Sequence, residues 1–364
     1  MYRNSAFGIE ICQRRFCFRE LIVTYYRNSY DLVPDISLLD LKKGDTIHSF
    51  MIFLLFGAGL IFIIRGGDRF VDASARIAEI SGIPPFVIGA TVVSIATTLP
   101  ELLVSVMASV NGQPDMAAGN AIGSVTANTA LIMGFTVLLA PIAISRRAYL
   151  KKTVILLSAI VMLWFFSVGG TLTLFGSGAM LSLFAYYIFD TLKDSKSEKS
   201  AEITDHTADR REIVGNIISF VLGAAAIVVG SRLLIDNGTA IARDILHVDD
   251  RVISLTLLAV GTSLPELVTA VSAVMKKQTT LTVGNILGAN IIDTLLILPL
   301  CSLISGGLPV SAGAVTSDLP VCLLSAAVML IPALIKRRFS RLQGAVSLII
   351  YILYIIKISL TIVM

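Results

Sequence analysis

The chain has 364 residues, of which 55% are apolar and 15% charged, with a mean hydropathy of +0.84 and a formal net charge of +4. Ordinary soluble domains carry roughly 25% charged residues, and outside the charge-rich segments 1–50 and 191–212 only 30 charges remain in 292 residues. Too little polar surface is left for a soluble fold. The composition therefore excludes a soluble protein and predicts an all-α polytopic membrane protein.

The residue types narrow the class of function further. Lys and Arg lie in short runs between apolar segments, so the positive net charge does not indicate a nucleic-acid partner. The four cysteines form no CxxC pair and the three histidines are far apart in sequence. This distribution argues against a disulfide framework and against a zinc site.

The first 50 residues differ from the rest of the chain. They are mixed polar and contain neither a long apolar run nor a secretory signal. Met51 begins the apolar stretch MIFLLFGAGLIFII. We therefore expect residues 1–50 to be a polar, poorly ordered N-terminal extension, for which a misassigned start codon is one explanation.

From Met51 onward, apolar segments long enough to cross roughly 30 Å of hydrocarbon recur. Ten such segments are predicted, at about 51–79, 85–111, 116–140, 150–167, 171–190, 213–243, 251–275, 280–304, 318–335 and 343–363. The predicted organisation is a first transmembrane repeat over 51–190, a charged linker over 191–212 and a second transmembrane repeat over 213–364.

The connecting loops predict the orientation. Taken alternately, one set of loops carries 15 basic residues and the other set only two, Arg243 and Arg251. The positive-inside rule places the basic set in the cytoplasm, so the linker 191–212 is cytoplasmic and both ends of the helical core face outward. The basic set comprises Arg146, Arg147, Lys151, Lys152, Lys193, Lys196, Lys199, Arg210, Arg211, Lys276, Lys277, Lys336, Arg337, Arg338 and Arg341.

An internal repeat is the most informative feature of the sequence. VIGATVVSIATTLPELLVSVMASV (87–110) aligns with VISLTLLAVGTSLPELVTAVSAVM (252–275), and GNAIGSVTANTALI (119–132) aligns with GNILGANIIDTLLI (284–297). Both pairs share an offset of 165 residues without a gap. Because each half contains five spans, the second half enters the membrane from the opposite side. This inverted repeat is typical of secondary transporters, which bind their cargo near the midplane.

The TTLPE and TSLPE motifs place Glu101 and Glu266 inside otherwise apolar spans. A carboxylate there costs several kcal/mol, so it is expected to face a cavity, a partner or an ion. Each preceding proline lacks an N–H and frees the carbonyl four residues back, at Ala96 or Gly261. Carboxylates, hydroxyls and carbonyls together predict an all-oxygen cation site where two broken helices meet.

The second pair of motifs adds Asn128 and Asp293, which are equivalent at the same offset. With the two glutamates they predict a four-residue oxygen cluster contributed by both halves. The absence of His and Cys from this set favours Na⁺, Ca²⁺ or H⁺ over zinc or copper. Asn120 and Asn285 in the GN motifs have an equally good explanation as hydrogen-bonding residues between helices.

At these residues the chain resembles the cation/calcium antiporter superfamily, in particular its sodium/calcium exchanger branch. The paired LPEL and GNxxG blocks are similar to the two alpha repeats of that family, over about residues 51–364. The resemblance implies ten helices, an exchange of inward sodium for outward calcium, and long first and sixth helices that slide over the rest.

The resemblance also implies a set of ligands for the transported ions. They are the carboxylates Glu101 and Glu266, the hydroxyls of Thr97, Thr98, Thr262 and Ser263, the carbonyls of Ser94 and Ala259, the polar pair Asn128 and Asp293, and Ser124. The chain departs from the family pattern at Val125 and Thr126, where Asn and Ile are usual, at Ala289, which stands where a serine often binds sodium, and at Ser94 and Ala96, which replace the commoner Ala and Gly.

The leading functional prediction is a sodium/calcium antiporter in the plasma membrane, working as a monomer by alternating access, with no cofactor. A cation/proton exchanger (calcium/proton or potassium-dependent) stays open, with Asp293 or a glutamate as the proton carrier. A cation channel would need a continuous pore, usually lined by several subunits. An intramembrane enzyme is not indicated, because the sequence shows no GxSxG, HExxH or phosphate-binding loop in the right context.

Overall fold

The computed structural model describes residues 46–199, 210–245, 261 and 263–363. The predicted extension 1–50 and the middle of the linker 191–212 therefore lie mostly outside the described residues. The helices of the first half are α1 (Thr46–Ser81), α2 (Pro85–Thr97), α3 (Leu99–Val110), α4 (Pro114–Leu139), α5 (Arg146–Ser167) and α6 (Leu174–Lys199). Those of the second half are α7 (Arg210–Ala240), α8 (Leu264–Met275), α9 (Thr279–Ser305), α10 (Ala314–Lys336) and α11 (Arg341–Val363).

The helix lengths agree with the predicted ten-helix membrane fold. Seven of the described helices are long and apolar enough to cross a membrane, and α2 and α3 together make an eighth span that bends by 46°. Helix α6 has 26 residues, and α8 is a shorter apolar helix whose preceding residues lie outside the described part. The fold is an all-helical membrane fold.

Three boundaries differ from the prediction. Helix α1 begins at Thr46 rather than Met51, and α6 continues to Lys199, beyond the predicted end at 190. The predicted fifth span began at 171, but Thr171–Leu172 forms the short strand β1. The added residues at both helix ends are mostly polar, and a hydropathy pattern does not report a helix that continues beyond its apolar stretch.

The repeat seen in the sequence recurs in the secondary structure. Helices α3 and α8 begin and end at residues related by the same offset of 165. Helices α4 and α9 each contain one π-helical turn, at Ala127–Ile132 and Asp293–Ile297. These turns include the equivalent residues Asn128 and Asp293, so the local backbone is repeated along with the side chains.

Two short antiparallel pairings link the repeats to each other. Strand β1 pairs with β2 (Leu308–Pro309). Ala143 forms a bridge with Arg338, and the N–H of Phe339 donates to the Ile142 carbonyl at 2.8 Å. Ala143 and Leu308 are equivalent positions, so each repeat contributes the same kind of loop to one pairing. The predicted topology places the two pairings on opposite faces of the membrane.

Glycines allow α2 and α9 to cross with their backbones in contact. A Cβ on Gly284 would overlap the Phe86 carbonyl, and a Cβ on Gly89 would overlap the Leu281 carbonyl. Small residues permit this close approach between membrane helices. Among the described spans, helix α9 is the most enclosed, because 83% of its apolar 18-residue stretch is buried. The crossing therefore fixes α2 against the centre of the bundle.

Helices α1 and α7 form a second glycine-mediated pair at the periphery. A Cβ on Gly59 would lie 3.0 Å from the Gly230 carbonyl, and one on Gly66 would lie 2.9 Å from Ala226 Cβ. Only 28% of the apolar 18-residue stretch of α1 is buried, and only 17% of that of α7. The pair therefore packs closely on itself and presents most of its surface away from the bundle.

Ion pairs connect one end of this peripheral pair to its neighbours. Arg76 of α1 pairs with Glu212 of α7, and Lys276 in the α8–α9 turn pairs with Asp72 of α1 at 2.7 Å. The predicted topology places all these residues on the cytoplasmic face. Exposed pairs of this kind contribute about 0–1 kcal/mol each, so glycine packing rather than charge holds the two helices together.

Candidate cation-binding site

The first LPEL motif lies where one helix ends and the next begins, and the second lies at the beginning of a helix. Helix α2 ends at Thr97, α3 begins at Leu99, and Pro100 stands in the first turn of α3, where a missing N–H leaves no helical bond unmade. Pro265 has the same place in α8. Glu101 and Glu266 consequently occupy the first turns of two helices, where the positive end of the helix dipole favours a carboxylate.

The acidic residues are buried without partners. Glu101 is 1% exposed, and Glu266 and Asp293 are fully enclosed. Among the described residues, no hydrogen-bond donor reaches any of their six carboxylate oxygens, or Oδ1 of Asn128. Buried polar groups are nearly always satisfied, so a cluster of unpartnered acceptors in the interior indicates that something other than the chain satisfies them.

The three carboxylates also repel one another, because Glu101 interacts electrostatically with both Glu266 and Asp293. Within the described ranges, however, no three acidic, His or Cys side chains converge closely enough to hold one metal ion. The arrangement is a set of neighbouring oxygens rather than a closed three-carboxylate cage. The predicted four-residue cluster stays a prediction.

Two hydroxyls beside Glu101 have acceptors elsewhere in the protein. Thr98 Oγ1 donates to the Ser94 carbonyl at 2.6 Å, and Thr97 Oγ1 is 3.2 Å from Oδ1 of Asn285. A hydroxyl has one hydrogen and two lone pairs. When each hydrogen bonds to a protein acceptor, the lone pairs of both oxygens are left for a cation, so this arrangement suits a cation better than an anion.

Asn285 joins the two repeats at this point. Its Oδ1 accepts from Thr97 of the first repeat, and its Nδ2 donates to Oγ1 of Thr269 in the second repeat at 3.1 Å. Asn120 donates to Ser105 at 3.0 Å. Both asparagines are therefore hydrogen-bonding residues between helices, which is one of the two explanations that the sequence left open.

Asn285→Ala is expected to lower the free energy of unfolding by about 1–3 kcal/mol, because it removes two buried hydrogen bonds between helices. Thermal unfolding in detergent, with and without calcium, measures the effect. Asn216→Ala is the matched control, since its amide donates to the Glu212 carbonyl in its own helix. An equal loss in both variants would contradict the bridging role of Asn285.

A further contact between the repeats was not predicted from the sequence. Nδ2 of Asn290 donates to Thr129 Oγ1 at 2.8 Å, and both residues are buried. The equivalent pair is Val125 and Thr294, and Thr294 donates instead to the Asn290 carbonyl of its own helix. Valine cannot supply an amide, so the contact forms in one half only. The sequence signal was the pairing of Asn290 with a valine under the 165-residue offset.

The remaining predicted ligands have mixed positions. Ser124 and Ser263 are buried, and Oγ of Ser263 has no hydrogen-bond partner among the described residues. The Ser94 carbonyl accepts the Thr98 N–H at 2.9 Å as well as the Thr98 hydroxyl. Thr262 and Ala259 lie outside the described residues.

An all-helical membrane protein with two inverted repeats and unpartnered acids in the first turns of two equivalent helices belongs to the class of secondary transporters. The family model described as sodium/calcium exchanger protein matches residues 51–192 and 215–359. Since these ranges cover most of the chain, the chain belongs to the sodium/calcium exchanger protein family, whose members are transporters.

Individual relatives agree with this membership. The chain is 33% identical to the uncharacterized membrane protein MJ0091 of Methanocaldococcus jannaschii, over 82% of this chain and 94% of that protein. It is 29% identical to the sodium/calcium exchanger MaX1 of Methanosarcina acetivorans, over 84% and 97%. Among solved structures it resembles the sodium-calcium exchanger NCX_Mj soaked with 10 mM Na⁺ and zero Ca²⁺, with a TM-score of 0.75, 30% identity, and 84% and 98% coverage.

Proposed function

We propose that this cation/calcium exchanger is a secondary active antiporter that exchanges sodium for calcium across the plasma membrane by alternating access. The observation that carries the proposal is the group of buried, unpartnered carboxylates contributed by both repeats. The predicted ligands that lie in the described part of the site all offer oxygen atoms, and hard cations such as Na⁺ and Ca²⁺ prefer oxygen ligands.

In this proposal Glu101 and Glu266 bind the transported ion from opposite repeats. Asp293 and Asn128 contribute the middle pair of oxygens, and Thr97 and the other predicted hydroxyls complete the ligand set with their lone pairs. The further ligands are the hydroxyls of Thr98, Thr262, Ser263 and Ser124 and the carbonyls of Ser94 and Ala259.

Charge compensation couples the two ions. Uncompensated carboxylates in a low-dielectric interior are costly, so an empty site resists the change between outward-facing and inward-facing states. Either one Ca²⁺ or Na⁺ ions can neutralise the same acids. The protein then changes state only when loaded, and the flow of one ion drives the other.

The moving part in this proposal is the peripheral pair α1 and α7. Its helices contact each other through glycine, and most of their surface faces away from the bundle. Such a pair can slide over the fixed crossing of α2 and α9 without opening the core. We further propose that the protein acts as a monomer in the lipid bilayer, with its basic loops in the cytoplasm.

A second candidate function is a cation/proton exchanger. The observation in its favour is that the two equivalent positions of the middle pair differ, with an acid, Asp293, in the second repeat and an amide, Asn128, in the first. A carboxylate beside two others is a natural proton carrier. A potassium-dependent exchanger would use the same oxygens with a larger cation. A channel is disfavoured, because it needs a continuous pore, whereas an inverted repeat with central acids favours alternating access.

Calcium uptake into proteoliposomes distinguishes these candidates. Vesicles loaded with Na⁺, with K⁺ or with an acidic buffer are diluted into calcium under otherwise equal conditions. The proposal predicts saturable uptake only when sodium is inside. Uptake that follows the pH gradient alone would replace it by proton coupling, and the absence of calcium flux under every gradient would contradict calcium as the substrate.

A further inference from the structure

We propose that Tyr187 of α6 is a positioning residue that holds the Ser94–Thr97 turn of α2 in place for cation binding, and that the buried Lys152 holds Tyr187. The inference rests on the proposed cation site. It concerns a tyrosine and a lysine that lie on helices outside the LPEL and GNxxG motifs.

The starting point is a π-helical turn in α2. This turn covers Gly89–Val93 and ends directly before Ser94. The N–H of Ser94 bonds to the carbonyls of Gly89 and Thr91, whereas in an α-helix it would bond to the carbonyl of Ala90. The Ala90 carbonyl thus loses its usual donor one turn before the predicted ligands.

Tyr187 supplies a donor to that carbonyl from another helix. Its hydroxyl hydrogen-bonds to the carbonyl oxygen of Ala90, and the side chain is almost completely buried. A carbonyl left without a donor inside a membrane protein costs several kcal/mol. The hydroxyl therefore stabilises the π-helical turn in its observed position.

Helix α9 also packs against this turn. A Cβ on Gly288 would lie 2.8 Å from both the Cα and the carbonyl oxygen of Ala90, and 2.5 Å from Oγ of Ser94. The turn is therefore in contact with both the Tyr187 hydroxyl and the backbone of α9. Because α9 also carries Asp293, the Tyr187 hydroxyl fixes the distance between the hydroxyls of α2 and the carboxylate of α9.

Lys152 holds the tyrosine ring. The sequence assigned this lysine to a cytoplasmic basic loop, but the structure places it in α5 with 1% exposure. Its Nζ lies 4.7 Å from the Tyr187 ring centroid, donates to Thr191 Oγ1, and is 3.7 Å from Oδ2 of Asp190. Cation–π contacts are strongest when desolvated, so the lysine restrains the ring that presents the hydroxyl.

Tyr187→Phe tests the inference, since it keeps the ring and its cation–π contact and removes only the hydroxyl. Tyr186→Phe is the matched control, because the neighbouring tyrosine is 55% exposed. The measurements are the calcium concentration for half-maximal uptake, the maximal rate, and the concentration of CaCl₂, NaCl or KCl that half-saturates thermal stabilisation. Thermal stabilisation measures cation binding even when the protein exchanges no sodium for calcium. A failure of the proposed function can therefore be distinguished from a failure of this inference.

The expected result is a rise of about three- to tenfold in the half-saturating cation concentration for Tyr187→Phe, matching the loss of one buried hydrogen bond. The maximal rate stays close to that of the wild type, and Tyr186→Phe behaves as the wild type. A lower unfolding temperature with unchanged half-saturation would show a purely structural role and overturn the inference.

Lys152→Met provides a second variant if Tyr187→Phe does not fold. It keeps the tyrosine hydroxyl and a chain of similar length but removes the cation that restrains the ring. The inference predicts a smaller rise in the half-saturating concentration, in the same direction. An unchanged value for this variant would contradict the inference.

Discussion

Glu101→Gln and Glu266→Gln are each expected to abolish sodium-dependent calcium uptake while the protein still folds. Each substitution preserves the shape of the side chain and removes one of the charges that attract the cation. Removing one partner of a buried charge interaction costs about 2–5 kcal/mol, so the calcium affinity falls more than about thirtyfold. Uptake into sodium-loaded proteoliposomes measures the loss.

The same variants are expected to be at least as stable as the wild type in the absence of calcium and sodium. Both glutamates are buried without hydrogen-bond partners in the described part of the chain, and Glu101 is repelled by two other acids. Neutralising one of them relieves that repulsion. A structural glutamate would behave in the opposite way, and its loss would lower the unfolding temperature.

Asp115→Asn is the matched control for both variants. Asp115 lies in the first turn of α4 and is exposed, so its charge is solvated and remote from the buried acids. The control should transport calcium as the wild type does. Calcium uptake that persists in either glutamine variant at wild-type calcium concentrations would remove that glutamate from the ligand set.

Gly284→Ala is the second substitution with a large expected effect, and it acts on the fold. The new Cβ would overlap the Phe86 carbonyl and lie 3.0 Å from the Ala90 N atom. Both atoms belong to the backbone of α2, so no side chain can rotate away. Overpacking costs about 1–3 kcal/mol and occasionally more, and here we expect the upper end or a failure to fold. Detergent-solubilised yield and thermal unfolding measure it.

Gly178→Ala is the control for this substitution. Gly178 lies within α6, is exposed, and would meet no atom within 4 Å of an added Cβ. Alanine is a better helix former than glycine by about 1 kcal/mol, so the control should be neutral or slightly stabilising. If Gly284→Ala also proved neutral, the backbone crossing of α2 and α9 would not be the fixed element of the bundle.

Much of the fold could be predicted because a membrane restricts the chain to few solutions. Hydropathy alone identified the spans, since every backbone polar group in lipid must be satisfied within a helix. The offset of 165 residues identified the inverted repeat, and it reappears in the limits of α3 and α8. The boundaries of α1 and α6 were less predictable, because polar residues continue a helix beyond the apolar core.

The burial of the acids in the candidate site could be predicted from the sequence, but the hydrogen bonds around them could not. A buried acid after a proline is visible in the sequence, and Glu101 and Glu266 are as enclosed as that pattern requires. The partner of Asn285 is not visible, because Thr97 and Thr269 come from different repeats and meet only through the helix crossing. A π-helical turn has no distinct composition, so the role of Tyr187 could not be read from its position.

The asymmetry between the repeats shows what internal comparison adds. Under the offset of 165 residues, Val125 is equivalent to Asn290 and Ser124 is equivalent to Ala289. Each repeat therefore has one polar side chain where the other has an apolar one. In the structure this leaves Asn290 bonded across the interface while Thr294 bonds within its own helix. The two repeats therefore contribute different polar groups, although their motifs align without a gap.

The central claim is that sodium and calcium compete for one set of buried carboxylates, and equilibrium binding of radiolabelled calcium to the purified protein tests it most directly. We predict that increasing sodium displaces calcium completely and competitively. We also predict that Glu101→Gln and Glu266→Gln bind neither ion at concentrations that saturate the wild type. Calcium binding that is unaffected by saturating sodium, or that survives in both glutamine variants, would contradict a shared site.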